Sequence, residues 1–446
     1  MTEQETTERR RLPSRAYAVG SLAMFAQGLY SPFLNSYMVD LGASLSEIGA
    51  FRSMGNVAPT ILQPVWGSVS DKTGHTKAFV AFGTVSGLFT VFLFLFAATP
   101  LDMIVLYGIQ SILLSIQIPT WLSLVGSLID EENRGIELGK LGMATNIMSL
   151  LATLFSGFIA AFPILVPFLR ASLGWLGSIL FPSVEVWKQV YYLPFYLTAI
   201  TGIIASLLSI GIQTRNDSSG VPREFPPVLR LLSEPSEFRK LCFVATFFSF
   251  AMSMAWPFWI IVQRQWLNNT LLEIAIASAI MTLTTVIFTI PLGRFSDRVG
   301  RKPLIFLGRF TLFVVPIMYA FAFTTISIYV ANAIAGFSVA ATTNANTAYI
   351  YDIAPAEERG AHLSVYNTFT GIVMLLGSLV AGILGDFIAI SIGVYLAVFT
   401  MLVVSGLLRF ISSFLYLLLD EPREYSSDVW TEIRAFFLGR QVNRGL

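Results

Sequence analysis

The chain has 446 residues, of which 55% are hydrophobic and 12% charged, and its 28 lysines and arginines nearly balance its 27 aspartates and glutamates. A soluble domain carries about 25% charged residues, so this composition excludes an ordinary soluble protein and predicts many membrane crossings of about 20 apolar residues each. The balanced charge excludes a typical nucleic-acid binder, and one cysteine with two histidines excludes a zinc ligand set or a disulfide framework. We expect no cofactor and no metal.

The N-terminal tail, residues 1–15, is acidic and then basic, and no small-residue cleavage site follows it, so we interpret it as a cytoplasmic tail and not as a signal peptide. Twelve apolar segments follow, and each is expected to be a helix because lipid offers the backbone no hydrogen-bond partner. We number them spans 1 to 12, at residues 16–40, 45–67, 78–98, 101–127, 140–162, 191–212, 239–263, 271–292, 303–324, 326–350, 362–386 and 391–419.

The segments between the spans suggest the domain organisation. Residues 213–238 form a long polar stretch, and we expect them to be a cytoplasmic linker between an N-terminal six-helix bundle, 16–212, and a C-terminal one, 239–419. Residues 163–190 form an apolar loop, expected on the outer membrane surface or over the mouth of a cavity. Residues 420–446 predict a cytoplasmic tail that contains an interfacial amphipathic helix.

The distribution of positive charge predicts the orientation. Lysine and arginine accumulate in segments that share one side of the membrane with the N-terminus, and only Arg170, Lys188 and Arg264 lie in segments on the other side. The positive-inside rule therefore places both termini in the cytoplasm. We expect a multi-pass protein of the plasma (inner) membrane of a prokaryote.

The two halves of the chain repeat each other. With an offset of about 225 residues, matching residues recur across six spans. The matches include Pro32-Phe33 with Pro257-Phe258, Glu47-Ile48 with Glu273-Ile274, Ser70-Asp71 with Ser296-Asp297, Arg134-Gly135 with Arg359-Gly360, and Gly157 with Gly382. This pattern predicts a parallel duplication of a six-helix unit about an axis along the membrane normal.

One loop motif is present in both halves. It reads Gly67-Ser68-Val69-Ser70-Asp71-Lys72-Thr73-Gly74-His75-Thr76-Lys77 after span 2, and Gly293-Arg294-Phe295-Ser296-Asp297-Arg298-Val299-Gly300-Arg301-Lys302 after span 8. With these loops and its twelve spans, the chain resembles the major facilitator superfamily of secondary transporters, and its prokaryotic multidrug-type members most. The resemblance covers nearly the whole chain. It implies an all-α membrane fold of 12 transmembrane helices in two pseudo-symmetric six-helix bundles.

The resemblance also implies a conformational latch, because in the family these loops hold the cytoplasmic sides of the two halves together and release them during transport. Glycine permits the tight reversals at Gly74 and Gly300, and we expect Gly67 and Gly293 to let helix backbones approach closely. The alternative is that the loops only set the topology. The candidate latch residues are Gly67, Asp71, Lys72, Gly74, Lys77, Arg134, Gly293, Asp297, Arg298, Gly300, Arg301, Lys302 and Arg359.

Polar residues within the spans predict a substrate cavity near the bilayer midplane, between the halves. They recur in spans 1, 4, 7 and 10, which line the cavity in the resembled family, and in spans 2, 5 and 11. The candidates are Gln27, Tyr30, Asn35, Arg52, Asn56, Gln110, Gln117, Trp121, Asn146, Trp256, Asn332, Asn346, Tyr366 and Thr370. Each amide or hydroxyl could instead join two helices by a hydrogen bond, and a tryptophan near a span end could be an interfacial anchor.

Arg52 is the one unambiguous charge well inside the N-terminal half, at a depth of ~10 Å in span 2. It is either a receptor for an anionic group, an ion-pair partner in coupling, or an arginine that extends outward to Asp40, Glu47 or Asp386. The middles of spans 1, 4, 7 and 10 contain no aspartate or glutamate, the group that a proton-coupled carrier typically has in its cavity.

These features predict an alternating-access secondary transporter, not an enzyme, that moves a small organic and drug-like or amphipathic solute, with export as the direction that the resemblance implies. One alternative is a facilitator or exchanger of an organic anion that uses Arg52. Another is a non-transporting sensor or structural membrane protein. The expected partners are the solute and the lipid bilayer, without nucleic acid, and we expect a monomer. The coupling ion stays open, with a proton as one candidate.

Overall fold

The structure is a computed structural model that describes residues 12–129, 134–162, 164–182, 186–212, 236–355 and 358–422. Every regular element in these ranges is a helix. The amphipathic helix expected in the C-terminal tail falls after residue 422, outside the described residues, as do most of the N-terminal tail and of the linker.

The helices of the N-terminal half include two short ones in the loop at residues 163–190. The helices are α1 (Ser14–Tyr30), α2 (Leu34–Asp40), α3 (Leu45–Thr73), α4 (Thr76–Leu93), α5 (Pro100–Leu128), α6 (Arg134–Ala160), α7 (Leu165–Ser172), α8 (Gly174–Leu180) and α9 (Val186–Ile210). The short pair α7 and α8 exposes large apolar side chains such as Phe168 and Trp175.

The helices of the C-terminal half differ from those of the N-terminal half in one interrupted segment, because the counterpart of α4 is divided into two helices. They are α10 (Glu237–Met254), α11 (Trp259–Ile261), α12 (Leu271–Val299), α13 (Arg301–Thr311), α14 (Val314–Ala320), α15 (Thr325–Ile353), α16 (Arg359–Ile392) and α17 (Val394–Phe414). A π-helical turn, Val262–Trp266, continues α11.

Ten helical segments in the described residues are long and apolar enough to cross a membrane. They correspond to spans 3 to 12, and two of them are interrupted, α10 with α11 and α13 with α14. Spans 1 and 2 are helical as well, as α1 with α2 and as α3. The prediction of an all-α protein with many membrane crossings is therefore confirmed.

Two equivalent helices begin with the same capping arrangement. At the start of α3, the Ser44 hydroxyl accepts from the Glu47 amide at 3.2 Å and the Glu47 carboxylate accepts from the Ser44 amide at 2.8 Å. At the start of α12, Thr270 and Glu273 make the same two hydrogen bonds, at 3.3 and 2.7 Å. These are reciprocal capping boxes, and they explain why glutamate recurs at 47 and 273 in the repeat.

Prolines interrupt three of the membrane-crossing segments. Span 1 changes to a tighter turn at Ser31–Phe33, span 7 opens between α10 and α11 at Pro257, and span 9 opens between α13 and α14, before Pro316. A proline has no N–H for the helical bond to the carbonyl four residues earlier, and its ring crowds that carbonyl. Backbone acceptors are therefore left over at each break.

Neighbouring helices supply donors to the backbone of spans 1 and 7, and they do so at equivalent positions in the two halves. In the N-terminal half, Thr198 of α9 donates to the carbonyl of Ala26 at 3.2 Å. In the C-terminal half, Ser405 of α17 donates to the carbonyl of Ala251, which is equivalent to Ala26, at 2.6 Å. In span 1, Thr153 of α6 also donates to the carbonyl of Gly28, four residues before Pro32, at 3.2 Å.

The chain forms two compact units, which follow the two halves with one exchange of segments. Among the described residues, the first unit contains those up to Ala43, those from Met54 to 212, and Thr270–Ile276. The second contains Ser44–Ser53, those from 236 to Asn269, and those from Ala277 onward. The first turns of α3 thus belong to the unit of the C-terminal half, and the first turns of α12 to that of the N-terminal half.

Paired glycines explain this exchange. Gly382 of α16 lies so close to α3 that a Cβ there would be 2.6 Å from the carbonyl oxygen of Leu45 and 3.2 Å from the Cα of Gly49. Its repeat partner Gly157 of α6 lies against Ala275 of α12 in the same way. Because neither glycine has a side chain, the helix pairs α3/α16 and α6/α12 pack with their backbones close together.

Gly67 and Gly293 do not have the packing role that we expected. A Cβ on Gly293 would meet no atom within 4 Å, and one on Gly67 would meet only Pro119, at an ordinary 3.7 Å. The close approaches lie at the opposite end of α3 and α12. The expectation was wrong because a motif glycine next to a loop need not face a neighbouring helix.

The apolar core of the second unit lies near the loop motif. It joins α10, α13, α15 and α16 through buried residues that include Leu241, Phe248, Leu304 and Tyr349. In the first unit a smaller cluster joins Leu12 and Ala16 to Leu124 and Leu141. Many other large apolar side chains are exposed, as expected for surfaces that face lipid.

Candidate transport site and loop motif

Arg52 and Trp256, which the sequence assigns to different spans, lie together in the second unit. The guanidinium carbon of Arg52 lies 5.2 Å from the centroid of the Trp256 ring. This is within the distance of about 6 Å at which a cation is attracted to an aromatic face. Trp256 is half-buried and lies in the break between α10 and α11, next to Pro257. The break in span 7 therefore presents an aromatic ring to the arginine of α3.

Several hydrogen bonds fix the part of α3 that carries Arg52. Ser53 donates to the carbonyl of Leu375 at 2.9 Å, and Ser378 donates to the carbonyl of Gly49 at 3.2 Å. The Asp386 carboxylate accepts from the backbone amides of Leu45 and Ser46 at 3.0 and 2.9 Å.

These contacts also show what the nearby carboxylates do. Asp386 binds the amides at the start of α3, and Glu47 caps the same helix. Both groups were considered as outward partners of Arg52, and both have backbone donors in this structure. A carboxylate at a helix N-terminus is stabilised by the exposed amides and by the helix dipole.

Three amide side chains among the cavity candidates have a buried atom without a hydrogen-bond partner in the described residues. Both side-chain atoms of Gln110 lack one, although the amide lies near the hydroxyl of Tyr30, and Gln110 is completely buried. The side-chain oxygens of Asn35 and Asn346 lack one as well. A buried polar group without a partner costs about 1–3 kcal/mol, so these atoms are suited to bind a polar solute or water.

Other cavity candidates have partners within their own unit. Asn332 donates to the hydroxyl of Tyr319 and to the carbonyl of Ile328, both at 2.9 Å. Thr370 donates to the carbonyl of Tyr366 at 2.8 Å, and Trp121 packs against the apolar cluster of Leu12 and Ala16.

The remaining candidates are placed as follows. Gln117 is 8% exposed, Gln27 is half-buried, and Asn146 is exposed. The side chain of Asn56 lies outside the described residues.

The second copy of the loop motif forms a charged cluster around Arg301. The Arg301 guanidinium lies 2.7 Å from the Asp297 carboxylate and 3.3 Å from that of Asp352, and it donates to the Ser296 hydroxyl at 3.0 Å. Arg301 is 7% exposed, whereas Asp297 is open to solvent at 63%. The arginine therefore connects α12, α13 and α15 from a buried position.

A carboxylate from the C-terminal end of the described chain closes this cluster. Glu421 accepts from the backbone amides of Arg301 and Lys302 at 3.2 and 2.8 Å. These are the first two residues of α13, so Glu421 caps that helix. Gly300 has φ +107°, and its equivalent Gly74 has φ +69°. The prediction that glycine makes both reversals possible is confirmed, because other residues rarely adopt such angles.

The other residues of the predicted latch are placed as follows. Lys72 and Arg298 are exposed and Lys77 is half-buried. Arg359 donates to the carbonyl of Tyr351 at 3.0 Å and stacks on the ring of that tyrosine. The side chains of Asp71 and Arg134 lie outside the described residues.

A family model for the Major Facilitator Superfamily matches residues 16–239 and 241–443. The chain belongs to the Major Facilitator Superfamily. It is therefore a transporter by family, and the resemblance stated from the loop motifs is confirmed.

Curated relatives of this superfamily member are distant. An uncharacterised MFS-type transporter of Methanocaldococcus jannaschii is 22% identical over 391 residues, which cover 84% of this chain and 89% of the relative. A second such protein from the same organism is 29% identical, but the match spans only 35% of that protein. The class H tetracycline resistance protein of Pasteurella multocida is 28% identical over 27% of this chain and 30% of its own length.

Solved structures show the same fold at low identity. A crystal structure of the nucleoside transporter NupG aligns with a TM-score of 0.75 at 14% identity and covers 92% of this chain and all of the other. A bacterial homologue of the human lysosomal transporter Spinster aligns at 0.67, with 16% identity and 97% and 98% coverage, and a D-xylose-proton symporter at 0.64, with 13% identity and 92% and 98% coverage. These likenesses establish the two-halved MFS fold.

Residues that sequence reasoning missed include Arg409, Glu421 and Gly49 of this MFS transporter. Arg409 lies within span 12, where no sequence pattern assigns it to a site, and Glu421 follows the last span. Gly49 offered a usable signal, because it lies one turn from the start of span 2 and so does its equivalent Ala275 in span 8. Small residues at matching positions are typical of close helix contacts in membranes.

Proposed function

We propose that the chain is an alternating-access transporter that exports a small organic solute of amphipathic or aromatic character. The observation that carries the proposal is the set of buried amides with unpaired atoms, at Asn35, Gln110 and Asn346. Neutral amides, such as Gln110 near Tyr30, recognise shape and hydrogen-bonding groups more than charge. The partial match to a tetracycline resistance protein supports export of a drug-like solute.

The proposal includes a prokaryotic inner membrane with both termini in the cytoplasm, a monomer, and the second loop motif as a conformational latch. The members of the Arg301 cluster all belong to the second unit, where one buried guanidinium joins three helices and orders the loop that the sequence places on the cytoplasmic side. Membership of the superfamily supports the latch role itself. A change of conformation could release the Asp297 contact first, since that carboxylate is largely in solvent.

An organic anion is the second candidate substrate, and the position of Arg52 favours it. An arginine against an aromatic ring offers a planar set of donors and a stacking surface together, which suits an aromatic carboxylate. In the sequence, spans 1, 4, 7 and 10 have no acidic residue between their ends, so proton coupling through a cavity carboxylate has no support.

Solute flux into proteoliposomes tests both candidates. The probes are tetracycline, uridine, xylose and benzoate, each measured with and without a pH gradient. Saturable flux of any probe supports a transporter, and a protein that moves and binds none of them supports the sensor alternative.

Two variants of Arg52 then separate the substrate classes. In an anion carrier, Arg52→Gln lowers benzoate flux at least about tenfold, or ~1.4 kcal/mol, and Arg52→Lys retains part of it because the charge remains. In a carrier of neutral solutes, both variants keep uridine or tetracycline flux within about twofold, since an uncharged solute has no anionic group for Arg52 to bind. Loss of neutral-solute flux in Arg52→Gln but not in Arg52→Lys argues against a carrier of neutral solutes.

A further inference from the structure

Arg409 of α17 is a buried cation whose partners are backbone carbonyls. It is 2% exposed and among the largest fully buried side chains of the described chain. Its guanidinium donates to the carbonyl of Met252 at 2.6 Å and to the carbonyl of Leu312 at 3.2 Å. Its charge lies 5.6 Å from the centroid of the Trp259 ring. Met252 and Trp259 belong to span 7, and Leu312 belongs to span 9.

Both carbonyls are ones that a proline break has left without a helical donor. Pro316 is four residues after Leu312, where the donor for its carbonyl would normally be, and proline has no N–H. In span 7, the backbone hydrogen-bond pattern shifts by one residue next to Pro257. The Trp256 amide therefore donates to the Ser253 carbonyl at 3.0 Å and not to the Met252 carbonyl. Arg409 thus serves two acceptors that two separate prolines created.

The guanidinium is the side chain best suited to this task. It presents five N–H donors in a rigid plane, so one residue reaches carbonyls on two helices at once. A buried charge is costly unless it is paired or hydrogen-bonded, and here the carbonyl dipoles and the Trp259 ring take the place of a carboxylate. Arg409 therefore contacts Met252 before the break in span 7 and Trp259 after it, and it also contacts Leu312 at the break in span 9.

From this geometry we infer that Arg409 is a positioning residue: it holds the break in span 7 in the bent form that presents Trp256 to Arg52. This inference rests on the proposed function only for its effect on transport. Its structural content, a break in span 7 that opens without Arg409, is independent of any solute.

Cysteine accessibility tests that structural content without a substrate. The native Cys242 is replaced by alanine, and a cysteine is placed at Ala255 in the break or, as a matched control, at Ala245 in the regular part of α10; both alanines are completely buried. With Arg409 present, a water-soluble maleimide should label neither cysteine. With Arg409→Met, the cysteine at 255 should become reactive at least about tenfold faster, and the one at 245 should stay protected.

Protection at 255 in folded Arg409→Met protein would overturn the inference. If Arg409→Met does not fold, the same labelling is measured in Arg409→Lys. One ammonium group does not span both carbonyls, so labelling at 255 should still rise above that at 245. Equal labelling at both positions in Arg409→Lys would count against a local role.

A coupling measurement adds a second arm. Pro316→Ala restores the N–H that the Leu312 carbonyl lacks, so Arg409→Met should lower the melting temperature less in the Pro316→Ala background than in the native one. An equal loss in both backgrounds shows that the Leu312 contact does not matter and contradicts the two-carbonyl role.

Transport completes the test. With whichever probe shows saturable flux, Arg409→Met should raise the half-saturation concentration severalfold at temperatures well below its melting point, and Arg409→Lys should restore part of the affinity. An unchanged half-saturation concentration overturns the positioning role. If no probe is transported by the native protein, the proposed function fails, while the labelling result still decides whether Arg409 holds the break.

Discussion

At the scale of single residues, burial separates two kinds of amide that look alike in the sequence. The Asn332 amide donates hydrogen bonds to the Tyr319 hydroxyl and to the carbonyl of Ile328 in its own helix. Both polar side-chain atoms of Gln110 are buried without a hydrogen-bond partner in the described residues. Apolar periodicity could not distinguish them, because both lie at helical spacing in a span expected to line the cavity. The difference depends on which side chains of other helices come near, and a single sequence does not contain that information.

This difference gives opposite expectations for two similar substitutions. Gln110→Met removes a buried amide that has no partner, so we expect stability to stay level or rise by about 1 kcal/mol, while flux falls if the amide binds solute. Asn332→Leu removes a hydrogen-bonded amide and leaves the Tyr319 hydroxyl without it, so stability should fall by about 1–3 kcal/mol. Thermal unfolding in detergent and flux in proteoliposomes measure both. A stability loss in Gln110→Met equal to that in Asn332→Leu would show that Gln110 is structural.

At the scale of helices, more of the structure could be predicted from the sequence than at the scale of single residues. Apolar runs indicated the spans, and the matching pair Pro32 and Pro257 indicated where spans 1 and 7 relax. The side chains that donate to the backbone of these spans, such as Ser405 to Ala251 and Thr198 to Ala26, could not be assigned. They come from helices more than a hundred residues away, and a hydroxyl in a span has no distinguishing pattern.

The close helix contacts give a prediction with a built-in control. Gly382→Val places atoms within 2.6 Å of the Leu45 carbonyl, so we expect a loss of about 1–3 kcal/mol from overpacking or displacement of α3. Gly293→Ala adds a methyl group where nothing lies within 4 Å, and a helix favours alanine over glycine by up to ~1 kcal/mol. Melting temperatures of the two purified variants should therefore move in opposite directions. A lower melting temperature for Gly293→Ala would indicate a contact that this conformation does not show.

At the scale of the whole molecule, the repeat in the sequence correctly indicated two related halves, and the family match and the solved folds agree. It did not indicate that Ser44–Ser53 and Thr270–Ile276 would each pack with the opposite half. Domain boundaries assigned from the sequence follow the linker. The compact units depend instead on where glycines allow two helix backbones to pack closely. The charged cluster around Arg301 was also only partly predictable, since Arg301 and Asp297 belong to the motif but Glu421 is 120 residues from Arg301.

The charged cluster around Arg301 predicts unequal effects for the two carboxylates that contact the guanidinium. Asp352 is 13% exposed where it meets Arg301, and Asp297 is 63% exposed. Asp352→Asn should therefore cost about 1–3 kcal/mol of stability, whereas Asp297→Asn should change stability by at most about 1 kcal/mol, as an exposed ion pair does. If the motif is a latch, Asp297→Asn still slows transport at an unchanged half-saturation concentration. Unaltered rates in Asp297→Asn, at equal protein in the membrane, would support a purely topological role.

The exchange of segments has a mechanical consequence. Helix α3 is continuous from Leu45 to Thr73, yet it begins in one compact unit and ends in the other, and α12 does the same in reverse. A displacement of one unit against the other must therefore act on these two helices. Either α3 and α12 bend, or their first turns slide along α16 and α6. Sliding along α16 would break the hydrogen bonds of Ser53, Ser378 and Asp386 that join the first turns of α3 to that helix. Bending of α3 beyond Ser53 preserves these bonds and is therefore the less costly response.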